Sequence, residues 1–142
     1  MTVHSPGDEA AALGELLMAA ARTQRRRWRD VLAPWDLSPH HARALRVVAS
    51  REGMRLSDVA ETLHIAPRSA TEVADALQAR GLVERSPDPT DRRAVVLRAT
   101  AEGHRVQAEV DAARTADTRD LFARLTPAER TELARLLRVV VD

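Results

Sequence analysis

The sequence contains no cysteine, and glycine and aromatic residues are scarce: five glycines, two tryptophans and one phenylalanine in 142 residues. Without cysteine the chain cannot form disulfides, thiolate metal sites or a cysteine-based redox sensor. None of the glycines lies in a GxGxxG or GxxxxGKS pattern, which argues against a phosphate-binding loop. No nucleophile–base pair is evident either. We therefore do not expect an enzyme.

Long apolar runs are also missing. No stretch approaches the roughly 18 apolar residues of a membrane span, and the acidic segment from Met1 to Ala12 lacks the pattern of a secretory signal. We expect a cytoplasmic protein without membrane contact. The five histidines are scattered, and the adjacent His40 and His41 would diverge by about 100° on a helix. The sequence thus predicts no metal and no cofactor.

All 22 basic residues are arginine, and lysine is absent. Arginine offers a planar fork that fits phosphates and guanine edges. A GC-rich genome would also favour arginine codons, and the high alanine content agrees with that explanation. The formal net charge is only +1, so charge alone does not identify a nucleic-acid-binding protein.

Apolar periodicity predicts a mostly helical chain. Apolar residues at three- and four-residue steps predict one long amphipathic helix from about Glu9 to Trp35. Thr100 is expected to cap a second long helix, and Thr126 begins a capping box that starts the last one. Helix starts are predicted between these long helices at three places: Ser38, Ser57 and Pro67.

A hairpin follows the helix that Pro67 opens and that Gly81 is expected to end. Its strands are predicted at residues 82–86 and 94–98, with turn-forming residues between them. The order of elements predicts a mainly α protein with a small β-wing. Three segments are expected, namely a long N-terminal helix (1–37), a winged helix-turn-helix domain (38–99) and C-terminal helices (100–142).

The most specific motif is ARGLVERSPDPTDRRAVVLRAT, residues 79–100. It combines the end of a recognition helix, a wing with Asp91-Arg92-Arg93, and a strand leading into Thr100. This combination resembles the MarR family of bacterial transcriptional regulators, whose wing carries an Asp-x-Arg element. The resemblance covers nearly the whole chain. It implies a homodimer that binds double-stranded DNA at an inverted-repeat operator, as a ligand-responsive repressor.

The polar face of the fourth helix is expected to enter the major groove, with four residues toward the bases: Arg68, Ser69, Thr71 and Glu72. Arg68 suits guanine, Thr71 a thymine methyl and Glu72 a cytosine amino group. Relatives often carry a basic or neutral residue at the position of Glu72, which puts its base contact in doubt. Ala66, as the residue before the helix, leaves the first N–H groups free for a phosphate.

In the wing, the resemblance implies that Arg93 enters the minor groove. Asp91 would orient Arg93 through an ion pair, and Arg92 would meet a phosphate. A solvent-exposed hairpin tip is the alternative. Because Glu72 is acidic and the net charge is low, a winged-helix module for protein interaction without DNA binding also stays open.

The terminal helices carry more apolar surface than one subunit needs, and we expect seven residues in the dimer interface: Leu13, Leu16, Leu17, Leu133, Leu136, Leu137 and Val140. The alternative is that these residues close an ordinary monomeric core. The run of Arg25, Arg26, Arg27 and Arg29 is expected in solvent and in pairs between subunits. The resemblance further implies a pocket for a small aromatic or phenolic effector. Four residues are candidates for it: Trp28, Trp35, His41 and Arg46. Packing in the core or the dimer is the alternative for both tryptophans.

Overall fold

The structure is a computed structural model that describes residues 6–142, so that His4 and the start of the N-terminal segment lie outside the described residues. Six helices and three strands follow one another: α1 (Pro6–Leu32), α2 (Pro39–Ala49), β1 (Met54–Arg55), α3 (Leu56–Leu63), α4 (Pro67–Ala79), β2 (Val83–Pro87), β3 (Val95–Ala99), α5 (Ala101–Leu121) and α6 (Pro127–Val141). The predicted fold class, mainly α with a small β-wing, is confirmed. No described helix is long and apolar enough to cross a membrane.

Local capping signals place three of the helix starts. The Ser38 hydroxyl oxygen accepts a hydrogen bond from the N–H of His41 at 3.1 Å. Thr126 and Glu129 form the predicted capping box, in which each side chain accepts from the other residue's N–H. Thr100 caps α5 in the same manner, with the N–H of Gly103 at 3.0 Å. These three predictions are confirmed.

Two predicted boundaries are wrong. The first helix ends at Leu32 instead of Trp35, and a short 3-10 turn follows over Ala33–Trp35. Pro34 explains this, because it lacks an N–H and its ring would clash with the carbonyl four residues earlier. Ser57 does not cap α3, since Arg55, held extended in β1, is the residue before the helix and makes no side-chain cap.

The sheet has one strand more than the predicted hairpin. Its order is β1-β3-β2, and both pairings are antiparallel. We call residues 83–99, which comprise β2, β3 and the turn between them, the wing. The two residues of β1, which come from the helix-turn-helix part, pair with the strand that returns from the wing. The wing is therefore attached to the helix-turn-helix by backbone hydrogen bonds.

The core lies between α2, α3, α4, the sheet and the inner parts of α1 and α5. Its fully buried side chains come from all of these elements: Leu32, Leu45, Val48, Val59, Leu77, Val83, Leu97 and Val110. In contrast, α6 has no buried residue, and the first half of α1 is exposed. The two terminal helices thus extend beyond the core of the single chain.

The end of α4, the wing and the start of α5 meet at one backbone junction. The carbonyl of Leu82 accepts from the N–H of Thr100 at 3.1 Å, and the Thr100 hydroxyl donates to the Gly81 carbonyl at 2.6 Å. Gly81 has a φ of +71°, the left-handed conformation predicted for it. A Cβ at Gly103 would lie 2.0 Å from the Leu82 carbonyl oxygen. Only glycine allows this approach.

We predict that Gly103→Ala lowers the free energy of unfolding by about 1–3 kcal/mol or more, because the added methyl forces the junction apart. Helix propensity alone would predict the opposite sign, a gain of about 0.5–1 kcal/mol. Urea unfolding at fixed protein concentration decides between the two. Ala108→Gly, at an exposed position of the same helix, measures the propensity term separately. A stabilised Gly103→Ala variant would show that the backbone at Leu82 can move enough to accommodate the methyl group.

Candidate nucleic-acid interface

The helix α4 has one buried side and one polar side. Four apolar residues with helical spacing face the core: Ala70, Val73, Ala74 and Leu77. On the other side Arg68, Thr71 and Glu72 are exposed, and Ser69 is half-buried. The four residues predicted to read bases therefore lie together on the outer part of the N-terminal half of this helix.

The N-terminus of α4 has no side-chain cap. Ala66 has the extended conformation of a capping residue, with φ −63° and ψ 149°, but it offers no hydrogen-bond acceptor. Pro67 occupies the first helical position and has no N–H to satisfy. The remaining N–H groups of the first turn and the positive end of the helix dipole form a place where a phosphate can bind.

Side chains on the polar face interact only weakly with each other. The Arg68 Nε lies 3.6 Å from a carboxylate oxygen of Glu72, and the two side chains are 92% and 67% exposed. Solvent screens a pair of this kind, so the arginine can leave it at little cost. The Thr71 hydroxyl donates to the carbonyl of Pro67 at 3.1 Å, which leaves the methyl group for contact with another molecule.

Arg85 of β2 fixes the C-terminal half of α4 to the wing, a role that the sequence did not reveal. Its guanidinium binds the Asp75 carboxylate at 2.6 Å, and it also donates to the side-chain oxygen of Gln78 and the carbonyl of Thr71. Nothing in the sequence around Asp75 and Gln78 indicates that their side chains have a partner on a later strand. The contact joins α4 to the wing.

The tip of the wing exposes Arg92 and Arg93. Asp91 accepts a hydrogen bond from the backbone N–H of Arg93 at 3.0 Å, and its carbonyl accepts from Ala94 at 3.0 Å. The ion pair expected between the Asp91 and Arg93 side chains is not formed among the described residues. Asp91 instead shapes the turn through the backbone, which leaves the guanidinium of Arg93 to solvent.

The base of the wing contains a hydrogen-bonded group that we call the wing-base network: Arg55, Asp88 and Thr90. One oxygen of Asp88 accepts from the N–H and the hydroxyl of Thr90, at 2.8 and 2.7 Å. The other accepts from the Arg55 Nε at 2.6 Å. These bonds, with those from Thr90 the largest cause, lower the pKa of Asp88 to about 2. The carboxylate therefore stays ionised at pH values where an ordinary aspartate is already protonated. The network weakens only as the pH falls toward 2.

A cleft of about 330 Å³ separates the wing from the start of α3. Asp91 and Arg93 line it on one side, and Arg55 and Ser57 on the other. The four residues of the α4 face do not line this cleft. The structure thus has two candidate DNA contact surfaces, the α4 face and the wing tip, and the sheet joins them.

A second cleft, of about 280 Å³, lies between α1, α2 and α5 and contains two of the four residues predicted for the effector pocket, Trp28 and Arg46. The Arg114 guanidinium stacks 4.9 Å from the centre of a Trp28 ring, a cation–π arrangement. Gln107 is 8% exposed, and among the described residues its side-chain oxygen has no hydrogen-bond partner. Arg43 and Asp111 complete the polar lining.

Trp35 and His41 do not line this cleft, so the structure separates the four predicted pocket residues into two groups. The Trp35 indole N–H donates to a carboxylate oxygen of Glu109 at 3.2 Å, and the Trp35 carbonyl accepts from Arg80. Burial, followed by the charges of His40 and Arg80, lowers the pKa of His41. Trp35 packs against the core next to the end of α1, and His41 is half-buried on α2.

The arginine run of α1 is only partly a solvent-exposed group. Arg27 binds the carboxylates of Asp117 and Asp120, both at 2.8 Å, and donates to the Asp117 carbonyl. Its partners lie on α5 of the same chain, although pairing between subunits was predicted for this run. Arg27 thereby fixes the two long helices to each other, while Arg25, Arg26 and Arg29 stay exposed.

A helix-turn-helix, a sheet that attaches a hairpin to it, and an arginine-bearing hairpin tip define a winged helix-turn-helix protein. The MarR family model matches residues 35–94, which span α2 to the wing tip. Over this part of its length the chain is similar to the MarR family.

Relatives and solved structures are also similar to this chain. An uncharacterized HTH-type transcriptional regulator of Bacillus subtilis (strain 168), YsmB, is 27% identical over 87% of this chain and 85% of its own length. The YusO protein of Bacillus subtilis has the same fold, with a TM-score of 0.83, 23% identity and coverage of 96% and 97% of the two chains. A mutant of MarR from E. coli, crystallised with operator DNA, matches with a TM-score of 0.76, 23% identity and coverage of 98% and 100%.

Proposed function

We propose that this protein is a transcriptional regulator, a ligand-responsive repressor that binds an inverted-repeat operator as a homodimer and acts in the cytoplasm without enzymatic activity. In this proposal residues 38–99 bind DNA, and residues 1–37 and 100–142 dimerise. The observation that carries it is the uncapped N-terminus and exposed polar face of α4 beside a wing tip that presents Arg92 and Arg93. E. coli MarR, which has the same fold, was crystallised with operator DNA.

The charge distribution around the interface supports this proposal despite the net charge of +1. Arg55 and Arg85 are paired with carboxylates inside the structure, and they stiffen it. Among the described residues, Arg92 and Arg93 form no ion pair. Their positive charge is therefore available to phosphates and to a narrow minor groove, where the negative potential attracts arginine.

We predict that Arg93→Ala weakens binding to the selected operator about 10- to 100-fold, the loss expected for a contact worth roughly 1–3 kcal/mol. The operator is first obtained by selection from random duplex DNA, and affinity is then measured by fluorescence anisotropy at several salt concentrations. The selected site should be an inverted repeat with half-sites about 10 base pairs apart.

Arg124→Ala is the matched control, because Arg124 is an equally exposed arginine in the turn between α5 and α6. It should leave the affinity unchanged. Equal affinities for Arg93→Ala and the parent would remove the wing from the interface. If selection yields no preferred sequence at all, the protein-interaction module becomes the better description of this chain.

The terminal helices provide the support for a homodimer. Leu13, Leu16 and Leu17 on α1 are 45–67% exposed, and Leu136, Leu137 and Val140 on α6 are 39–66% exposed. Leu133 is half-buried. Exposed apolar side chains of this kind mark an association site, and these six, together with Leu133, are the residues predicted for the interface. A second copy of the chain covers both helices in the proposed dimer.

We predict that Leu136→Asp combined with Val140→Asp dissociates the dimer and abolishes operator binding. Both side chains are exposed in the single chain, so the charges cost little there, but each would cost several kcal/mol when buried against a partner. Light scattering measures the mass and circular dichroism the helix content. Thr131→Asp places a charge on the polar face of the same helix, leaves the Arg135–Glu132 ion pair in place and should remain dimeric. A double variant at Leu136 and Val140 that stays dimeric would place the interface elsewhere.

The cleft beside Trp28 supports an effector site for a small aromatic acid. An aromatic ring can stack on Trp28, and Arg46 can bind a carboxylate, since it forms no ion pair among the described residues. The unpartnered oxygen of Gln107 would accept a hydrogen bond from a ring hydroxyl. A hydroxybenzoate combines these three groups in one small molecule.

We predict that 4-hydroxybenzoate quenches the fluorescence of Trp28, measured in a Trp35→Phe background that leaves one tryptophan. Arg46→Met should weaken this binding at least ten-fold, because a hydrogen bond between charged partners contributes roughly 1.5–3 kcal/mol. Benzoate, which lacks the hydroxyl, should bind more weakly, and Arg124→Met should have no effect. If millimolar 4-hydroxybenzoate fails to quench Trp28, the effector part of the proposal is wrong, while operator binding is unaffected by that result.

A further inference from the structure

Asp88 is the most buried carboxylate among the described residues, with 8% of its surface exposed. Its two oxygens accept three hydrogen bonds, all from members of the wing-base network. The Arg55 guanidinium also donates to the Thr90 hydroxyl at 3.3 Å. The three side chains therefore form a closed circuit of hydrogen bonds. In contrast, both side chains of the Arg68–Glu72 pair on α4 are exposed to solvent.

The position of this network in the sheet is informative. Arg55 lies on the edge strand β1, and Asp88 directly follows the opposite edge strand β2. The central strand β3 separates them, with Val96 paired to Arg55 and Val95 to Pro87. The Arg55 side chain thus bridges the two edges of the sheet over its central strand. Asp88 also closes the turn of the wing, because its N–H donates to the carbonyl of Ala94 at 3.0 Å.

The side chains of the tip arginines are not held by ion pairs among the described residues. No described residue forms an ion pair with Arg92 or Arg93, and both are exposed. Their positions are therefore set by the backbone of residues 88–94. An isolated two-stranded hairpin is only marginally stable in water. A contact that fixes the base of this turn consequently decides where the tip points.

We propose that the wing-base network positions the wing tip relative to the helix-turn-helix, and that Asp88 is a positioning residue for Arg93. This inference rests on the proposed DNA binding. Asp88 itself does not touch DNA, since its oxygens are occupied within the protein. Arg93 has its full effect on operator affinity only while Asp88 holds the turn to Arg55.

A double-mutant cycle with Asp88→Asn and Arg93→Ala tests this coupling. Asparagine has the shape of aspartate but places an NH₂ group against an N–H or guanidinium donor, so it breaks one side of the circuit. Operator affinity is measured for the parent, both single variants and the double variant. In the Asp88→Asn background, we expect Arg93→Ala to weaken binding by less than about three-fold, compared with about 10- to 100-fold in the parent.

Two further variants separate positioning from a general loss of stability. Arg55→Met removes the same contact from the other side, and it should reduce the effect of Arg93→Ala equally. Glu102→Gln makes the same carboxylate-to-amide change in the exposed Arg105 pair on α5, and it should leave that effect at its parental size. Thr90→Val, which keeps the Arg55–Asp88 pair, serves if Asp88→Asn does not fold. It should reduce the effect of Arg93→Ala to an intermediate value.

The outcomes distinguish this inference from the proposed function. A parent chain that selects no DNA sequence overturns the proposed function. A parent that binds its operator, with Arg93→Ala equally harmful whether residue 88 is aspartate or asparagine, overturns the positioning role and leaves the proposed function intact. Hydrogen exchange at the Thr90 amide provides a readout without DNA, and it should accelerate in Asp88→Asn. Unchanged exchange together with additive affinities would reduce the network to an ordinary structural contact.

Discussion

The backbone contact between Leu82 and the first turn of α5 is the constraint on which the rest of the structure depends. At this point α4 ends, the wing begins and returns, and the helix proposed to lead into the dimer starts. The Leu82 carbonyl binds the N–H of Thr100, and it lies so near Gly103 that no side chain fits there. Because interiors pack densely and yield little, we expect a shift of α5 to move α4 and the wing with it. In the proposed regulator, a ligand between α1, α2 and α5 would act on DNA binding through the same junction.

Local signals in the sequence were sufficient for most of the fold. Capping residues and prolines near a helix start act on the backbone of the next three or four residues, so Ser38, Pro67 and Thr126 mark their helices without knowledge of the tertiary structure. The errors arose where a distant contact or an overlooked proline determined a helix boundary. Pro34 ended α1 early, and pairing of β1 with β3 moved the start of α3 from Ser57 to Leu56.

The candidate site was less accessible to sequence reasoning, because its polar contacts join residues far apart in the chain. The surface residues Arg68, Thr71, Arg92 and Arg93 followed from helix periodicity and from the wing motif. Neither pattern indicates that Arg85 binds Asp75, that Arg55 reaches Asp88 across a strand, or that Arg27 pairs with α5. Sequence reasoning also predicted the lining of the Trp28 cleft only in part. The resemblance placed Trp35 and His41 among the pocket residues, but neither lines the cleft, and the Trp35 indole donates to Glu109 instead.

The ion pairs that the sequence did not indicate help to explain how a nearly neutral chain can bind a polyanion in the proposed complex. Arg55 and Arg85 are paired internally, and they provide rigidity to the wing and the recognition helix. In the proposed complex the electrostatic attraction would come from a small number of groups, chiefly Arg92, Arg93 and the uncapped start of α4. Non-specific affinity grows with the number of phosphates neutralised, and an acidic Glu72 beside Arg68 reduces it further. Discrimination depends on the ratio of specific to non-specific binding. A surface with few free charges, held at a fixed geometry, raises that ratio because it binds non-specific DNA more weakly.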